Sequence, residues 1–364
     1  MNTCGSTAGF LNLIDVQWPI VQAPMAGTAT PAMAAAVSNM GGLGSLGIGA
    51  MTPQAVMQAV ASFRQRSGKA LNLNVFCHAP AVANTHQELA WLDKLAPEFE
   101  KFGGTPPKAI GEAYKSFVED DEMFSTILSL KPKVVSFHFG IPCDAWIREL
   151  RRYGIVLFAT ATSLSEAQVA VKAGVQVIVA QGYEAGGHRG VFNPDAEDDQ
   201  LGTIALTRLL RKSLNVPIIA AGGIMDGQGI AAMIRLGASA AQLGTAFIAA
   251  HESAADPGHR SALFSDAAHH TVMTRVISGR PARCLSNCFT AFGRDIHPQA
   301  IPAYPIAYDA GKALNAAARS KGELGYGAQW AGQGAPLARS MTTENLMSVL
   351  IDEMNGGNTY VNHK

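Results

Sequence analysis

The chain has 364 residues, 48% of them hydrophobic, with 28 basic and 28 acidic side chains. That composition suits a globular protein with ample material for a core. Zero net charge argues against a nucleic-acid partner, which needs a basic surface.

The N-terminal run MNTCGSTAGFLNL has neither the basic start nor the apolar stretch of a signal peptide. The most apolar window, residues 32–51, is broken by glycines and by Asn39, so no membrane span is expected. No acid occurs between Asp15 and Glu88, which marks the early chain as interior or backbone-dominated. Cys4, Cys77, Cys143, Cys284 and Cys288 form no CxxC pair. Cys284 and Cys288 are expected as reduced, buried thiols, and no metal site is expected. Sparse cysteines suit a reducing cytosol, so the expected location is cytoplasmic.

Short apolar runs recur along the chain, each followed by a helical pattern. Strands are expected at 19–25, 42–49, 71–76, 134–140, 155–160, 175–182, 216–224 and 240–248. Most are continuous rather than alternating, the mark of strands buried on both faces of a parallel sheet. Helix signals lie between them. PAMAAAVSNM starts with proline and ends before glycine. Ser163 with Glu166 has the spacing of a capping box. Asp226 is placed to cap the helix that ends at Leu236–Gly237. Eight strands alternating with helices predict an α/β protein with the TIM (β/α)8 barrel fold, an open doubly wound sheet being the alternative. Residues 1–76 and 134–250 would form the barrel. Residues 77–133 would be a helical insertion after the third strand. Residues 251–364 would be a helical C-terminal extension over the face that carries chemistry in this fold.

GLGSLG (42–47) matches GxGxxG, but a helix precedes it and no acid follows at the required distance. It is read as a glycine-rich strand. AAGGI (220–224) and QLGTAF (242–247) end the seventh and eighth strands, where barrels bind phosphate. Gly222, Gly223, Gly244 and Thr245 can offer backbone approach, amides and a hydroxyl, or can simply make tight turns. Neither turn holds a lysine or arginine, which favours a nucleotide phosphate held by N–H groups. Gln22, Asn74, Gln181 and Gln242 place side-chain amides at strand ends. They suit a planar heteroaromatic cofactor such as a flavin, or one another. His138 and His188 end the fourth and sixth strands, where an imidazole can act as a base or carry charge beside an anion. Glu184 and Arg189 flank His188 and can equally pair with neighbours.

QAPMAG (22–27), VSFHFG (135–140), AQGYEAGGHRG (180–190), AAGGIMDG (220–227) and QLGTAF (242–247) resemble the class I nitronate monooxygenases. ISGRPAR and IPAYPIAYDAGKAL extend the resemblance along the tail. It implies a TIM-barrel flavoenzyme with non-covalent FMN. The enzyme would oxidise alkyl nitronates, notably propionate 3-nitronate, with O2 to malonate semialdehyde, nitrite and nitrate. That is a detoxification. By motif, FMN would be held by Asn74, Gln181, Gly186, Gly223, Gln242, Leu243, Gly244 and Thr245, with Gln22, Met25 and Gly222 beside them. His188 matches the catalytic histidine. His138, Tyr114, Tyr304, Tyr308 and Lys312 match the substrate pocket. Lys312 would anchor a substrate carboxylate. Three other readings stay open: an NAD(P)H-dependent flavin reductase of the quinone or enoyl-carrier-protein type, a barrel aldolase or isomerase, and a flavin-binding protein without activity.

Overall fold

The computed structural model describes residues 5–357, so Cys4 lies outside the described residues. Among the described residues the chain forms eleven strands. They are β1 (Ile20–Gln22), β2 (Gly44–Gly47), β3 (Leu71–Phe76), β4 (Val134–His138), β5 (Val156–Ala161) and β6 (Val177–Gln181). β7 (Gly187–His188), β8 (Ile218–Ala221), β9 (Ala240–Leu243), β10 (Thr271–Thr274) and β11 (Ala282–Leu285) follow. A parallel sheet runs β1-β9-β8-β6-β5-β4-β3-β2. Its ends meet where Leu43 N–H donates to Ile20 C=O at 2.9 Å and Gln22 N–H donates to Leu43 C=O at 3.0 Å. Eight parallel strands therefore close into a (β/α)8 barrel ringed by helices.

Strand residues buried on both faces explain the continuous apolar runs. Val21, Val134, Phe158, Val179 and Ile219 point inward, while Val135, Leu157 and Ile178 pack outward beneath the helices. Helix Thr7–Ile14, absent from the sequence expectation, plugs the barrel floor with Phe10 and Ile14. GLGSLG is a strand, as expected. A Cβ on Gly44 would lie 2.0 Å from the Ala34 carbonyl oxygen, so helix Pro31–Asn39 requires glycine there. Asp226 Oδ1 accepts from Gly229 N–H at 2.7 Å and caps helix Gly227–Arg235.

Several expectations change. The eighth strand stops at Leu243, and Thr245–Ile248 is a short helix. Only half of the expected capping box forms. Ser163 Oγ accepts from Glu166 N–H, but the Glu166 carboxylate takes the N–H and hydroxyl of Thr162 and the N–H of Phe192. Packing divides residues 77–133. Helix Thr85–Glu100 buries Trp91, Leu95 and Phe99 against helix Ile306–Arg319 of the tail, whereas helix Asp121–Leu130 buries Met123 and Ile127 in the barrel's outer layer. The tail is not wholly helical. β10 and β11 pair antiparallel, and β11 pairs with β7, setting Ala282 opposite His188. Its last helix, Thr343–Met354, packs Leu346, Met347 and Leu350 against the outer ring. Cys284 is buried on β11, but Cys288 opens a short helix and is exposed. No described helix is long and apolar enough to cross a membrane.

Candidate active site

The C-terminal ends of the barrel strands surround a cavity of about 330 Å³. Barrel turns form its floor. Tyr308, Lys312 and Trp330 of the tail form part of its wall.

Glycine keeps that floor open. Gly222 (φ +127°) and Gly223 (φ +70°) have left-handed backbones that side chains disfavour. Gly187 (φ +75°) also lines the cavity, and a Cβ there would meet no protein atom within 4 Å. The N–H groups of Gly223, Gly244 and Thr245 find no acceptor among the described residues. Met25 and Gly186 line the same cavity. Gln242 lines it with an amide that makes no hydrogen bond to the described residues.

The other amides are committed to differing degrees. Asn74 donates through Nδ2 to the hydroxyl of Ser136 at 2.9 Å and to its carbonyl at 3.1 Å, while its side chain still borders the cavity. Gln181 also borders it, but both ends of its amide bind protein. Nε2 donates to His188 C=O at 3.0 Å, and Oε1 accepts from Gly190 N–H at 2.7 Å. Gln181 thereby pins the loop that carries His188. Two expected cofactor residues do not reach the cavity. Gln22 is 0% exposed and ties β1 to β2, its Oε1 accepting from Ser45 N–H at 2.9 Å and its Nε2 donating to Ala23 C=O. Leu243 is turned into the core beside Ile20 and Phe247, and its carbonyl accepts from Ala23 N–H at 2.8 Å.

The opposite wall is aromatic and basic. His188 Nε2 lies 2.9 Å from Ser278 Oγ, while Nδ1 has no hydrogen-bond partner among the described residues. The Ser278 hydroxyl reaches the Arg280 carbonyl at 3.3 Å. If the hydroxyl donates there, Nε2–H donates to Ser278 and Nδ1 carries the lone pair, an assignment made from the network. His138 Nε2 donates to His188 C=O at 3.2 Å. Burial, then the charge of Arg280, pushes His138 down to about 4. Burial, then His138, Arg280 and His78, holds His188 well below 6.5. Both imidazoles are therefore neutral near pH 7, available as a base or a hydrogen-bonding partner rather than as cations. Lys312 Nζ sits 5.4 Å from the centre of the Tyr114 ring and 4.8 Å from that of Tyr308. It is exposed at the rim and pairs with no carboxylate among the described residues. Tyr304 does not line the cavity. It stands behind it, its hydroxyl bonded to that of Tyr114 and its ring 5.3 Å from His188.

A family model described as nitronate monooxygenase matches residues 9–353. The chain belongs to the nitronate monooxygenase family. It is 56% identical to the nitronate monooxygenase of Paraburkholderia phytofirmans, over 94% of each chain. With that of Pseudomonas aeruginosa it shares 46% identity, over 96% of this chain and 100% of the other. The solved nitroalkane oxidase of Streptomyces ansochromogenes superposes with a TM-score of 0.87 at 37% identity, over 95% of this chain and 97% of that one. FabK from Thermotoga maritima gives 0.72 at 28% identity, over 95% of each chain. The protein is thus a family oxidoreductase on a TIM barrel.

Sequence reasoning missed four residues of this family member's site. The Trp330 ring lies tilted against that of His188, 5.0 Å between centres, and His259 lines the cavity. Behind the wall lie His78 and Arg280. All but His78 come from beyond β9, where no strand-end rule points. Glu184 and Arg189 prove structural. The Glu184 carboxylate accepts from Thr203 N–H at 2.8 Å, at the start of helix Thr203–Ser213. Arg189, 2% exposed, makes a two-pronged pair with Asp198 at 2.7 and 2.8 Å.

Proposed function

We propose that the protein oxidises alkyl nitronates with O2, using bound FMN, to an aldehyde plus nitrite and nitrate. Propionate 3-nitronate is the preferred substrate and malonate semialdehyde its product, a detoxification. The observation that carries this reading is His188 on the cavity wall, with Nδ1 unpartnered and Nε2 anchored to Ser278.

The donor set fits FMN. Gly222, Gly223, Gly244 and Thr245 would hold its phosphate with backbone N–H groups, as the absence of lysine and arginine from these turns requires. Gln242 and Asn74 would meet its ring edge. His259 also lines the cavity. When bound, FMN supplies the electron acceptor and the site of reaction with O2.

The chain's own groups do the rest. His188 Nδ1 takes the α-proton of a neutral nitroalkane, and Ser278 fixes the ring's direction. A nitronate has already lost that proton and needs no base from His188. The Trp330, Tyr308 and Tyr114 rings narrow the cavity and exclude water. Lys312 at the rim attracts the carboxylate of propionate 3-nitronate. The test is an anaerobic visible spectrum of the purified protein titrated with propionate 3-nitronate, then with NADH. Bleaching by the nitronate alone supports the reading. Bleaching by NADH alone makes the protein a flavin reductase, and a colourless protein ends the flavin reading.

A further inference from the structure

Arg280 is buried deeply, at 3% exposure, on the turn between β10 and β11. Its Nη2 donates to the carbonyls of Val191 and Phe192, and its Nε has no partner. No carboxylate among the described residues pairs with it. The nearest acids that act on it are engaged elsewhere. Glu166 accepts from Thr162 and Phe192, and Asp195 pairs with Arg275 at 2.9 Å. Burial pushes Arg280 down to about 10, still cationic at neutral pH. A buried charge without a counter-ion is costly, and a ligand of opposite charge relieves it.

The guanidinium is aimed at the active site through one ring. Its carbon lies 4.2 Å from the centre of Phe139. Phe139 has φ +74°, unusual for a bulky residue. Its ring centre lies 4.4 Å from that of His138, 5.6 Å from that of His188 and 5.3 Å from that of Tyr304. The same turn holds His188 through Ser278. Around His188 stand His138 of β4, His78 after β3, Arg280, Ser278, Tyr304, Tyr308 and Trp330. None of them is an acid.

We propose that Arg280 is the fixed cation of this site, a positioning residue that draws an anionic substrate into the cavity from behind Phe139 without touching it. The proposal rests on the nitronate reading above. Lys312 cannot fill this role alone, because it stands at the rim in solvent, where screening weakens it. Arg280 acts from a dry interior, where the same charge reaches further. A second consequence concerns His188. Positive charge nearby disfavours its protonation and keeps the base available at lower pH.

The test uses the holoenzyme with Arg280→Gln and Arg280→Lys. In Arg280→Gln, KM for ethyl nitronate should rise about tenfold, while KM for neutral nitroethane changes about twofold or less. The acid limb of kcat/KM for nitroethane should also move to higher pH, by about one unit. The sign follows from charge: without the guanidinium, His188 protonates more readily, and only the neutral ring accepts a proton. Arg280→Lys keeps the charge and should keep both the limb and the preference for the anion. Equal losses on both substrates with an unmoved limb would overturn the proposal, as would a lysine variant that behaves like glutamine. Calorimetric binding of propionate, an inert anion, gives a readout without turnover. If wild type binds propionate and Arg280→Gln does not, the proposal stands even where nitronates prove not to be substrates. If Arg280→Gln does not fold, the lysine variant decides: retained anion preference supports the proposal, and its loss with FMN bound sinks it.

Discussion

His188→Asn separates proton removal from everything else the site does. In the structure the imidazole reaches Ser278 through Nε2 at 2.9 Å and leaves Nδ1 without a hydrogen-bond partner among the described residues. Asparagine extends only to the Nδ1 position, so the variant loses both the base and the tie to Ser278. Losing the tie costs about 1 kcal/mol of ordering. Losing a positioned base costs roughly 10²–10⁴ in rate, about 3–5 kcal/mol. The base effect therefore dominates, but only where a proton must leave carbon. Nitroethane oxidation should fall by roughly 10²–10⁴-fold. Ethyl nitronate oxidation should fall about tenfold or less, because that substrate arrives deprotonated. Oxygen consumption on the two substrates, side by side and per bound flavin, measures the ratio. Equal falls with flavin still bound would refute the assignment and make His188 a partner of the nitronate itself. In wild type the acid limb for nitroethane should lie below pH 6.5, since burial, with the Arg280 charge nearby, holds His188 neutral there. A limb above that value would contradict the packing described.

Lys312→Met should raise KM for propionate 3-nitronate by about fivefold and leave KM for ethyl nitronate alone. The gain is near 1 kcal/mol because Lys312 is exposed. Equal effects on both would show that it does not read the carboxylate. The protein should purify yellow and release FMN on denaturation, a result that chromatography of the chromophore decides against FAD. Gly223→Val should empty the site of flavin more than it slows turnover per bound flavin, since φ +70° at that turn excludes a branched side chain.

The barrel was legible because parallel strands buried on both faces cannot alternate. Runs such as VQVIVA announce themselves without their partners. The same logic placed the turns, because Gly222 and Gly223 sit where the backbone turns left-handed. The ends of elements were harder to read. LGTAF carries no signal that the strand stops at Leu243 and a helix begins. The amides show a second limit. Gln22, Asn74, Gln181 and Gln242 are the same kind of residue at the same kind of place, yet Gln22 bonds Ser45 while Gln242 faces the cavity. Which amide is spent on the protein depends on neighbours far away in sequence. So does Arg280, whose partners are carbonyls from residues 191 and 192.

Gly186 shows how one residue can be foreseen for a reason that is only part of the cause. It borders the cavity, as a glycine lying against a planar cofactor would. Yet a Cβ there would lie 2.4 Å from the Ala331 carbonyl carbon and 2.4 Å from the Gly332 nitrogen. Those are backbone atoms, and Gly332 N–H is held by Thr245 Oγ1 at 2.9 Å. In return, a Cβ on Gly332 would lie 2.7 Å from the Glu184 carbonyl oxygen. The loop after β6 and the segment at 331–334 are thus pressed together backbone on backbone, and this crossing shapes one side of the cavity. Because the close atoms are backbone, neither segment can rotate a side chain out of the way. Gly186→Ala should then destabilise the protein by about 1–3 kcal/mol, whether or not flavin is present. If the glycine served only the cofactor, the flavin-free variant would melt like the flavin-free wild type, and only flavin affinity would fall. Thermal unfolding of both proteins stripped of flavin separates the two causes. A matching melting temperature would show that the chain crossing yields more easily than these distances allow.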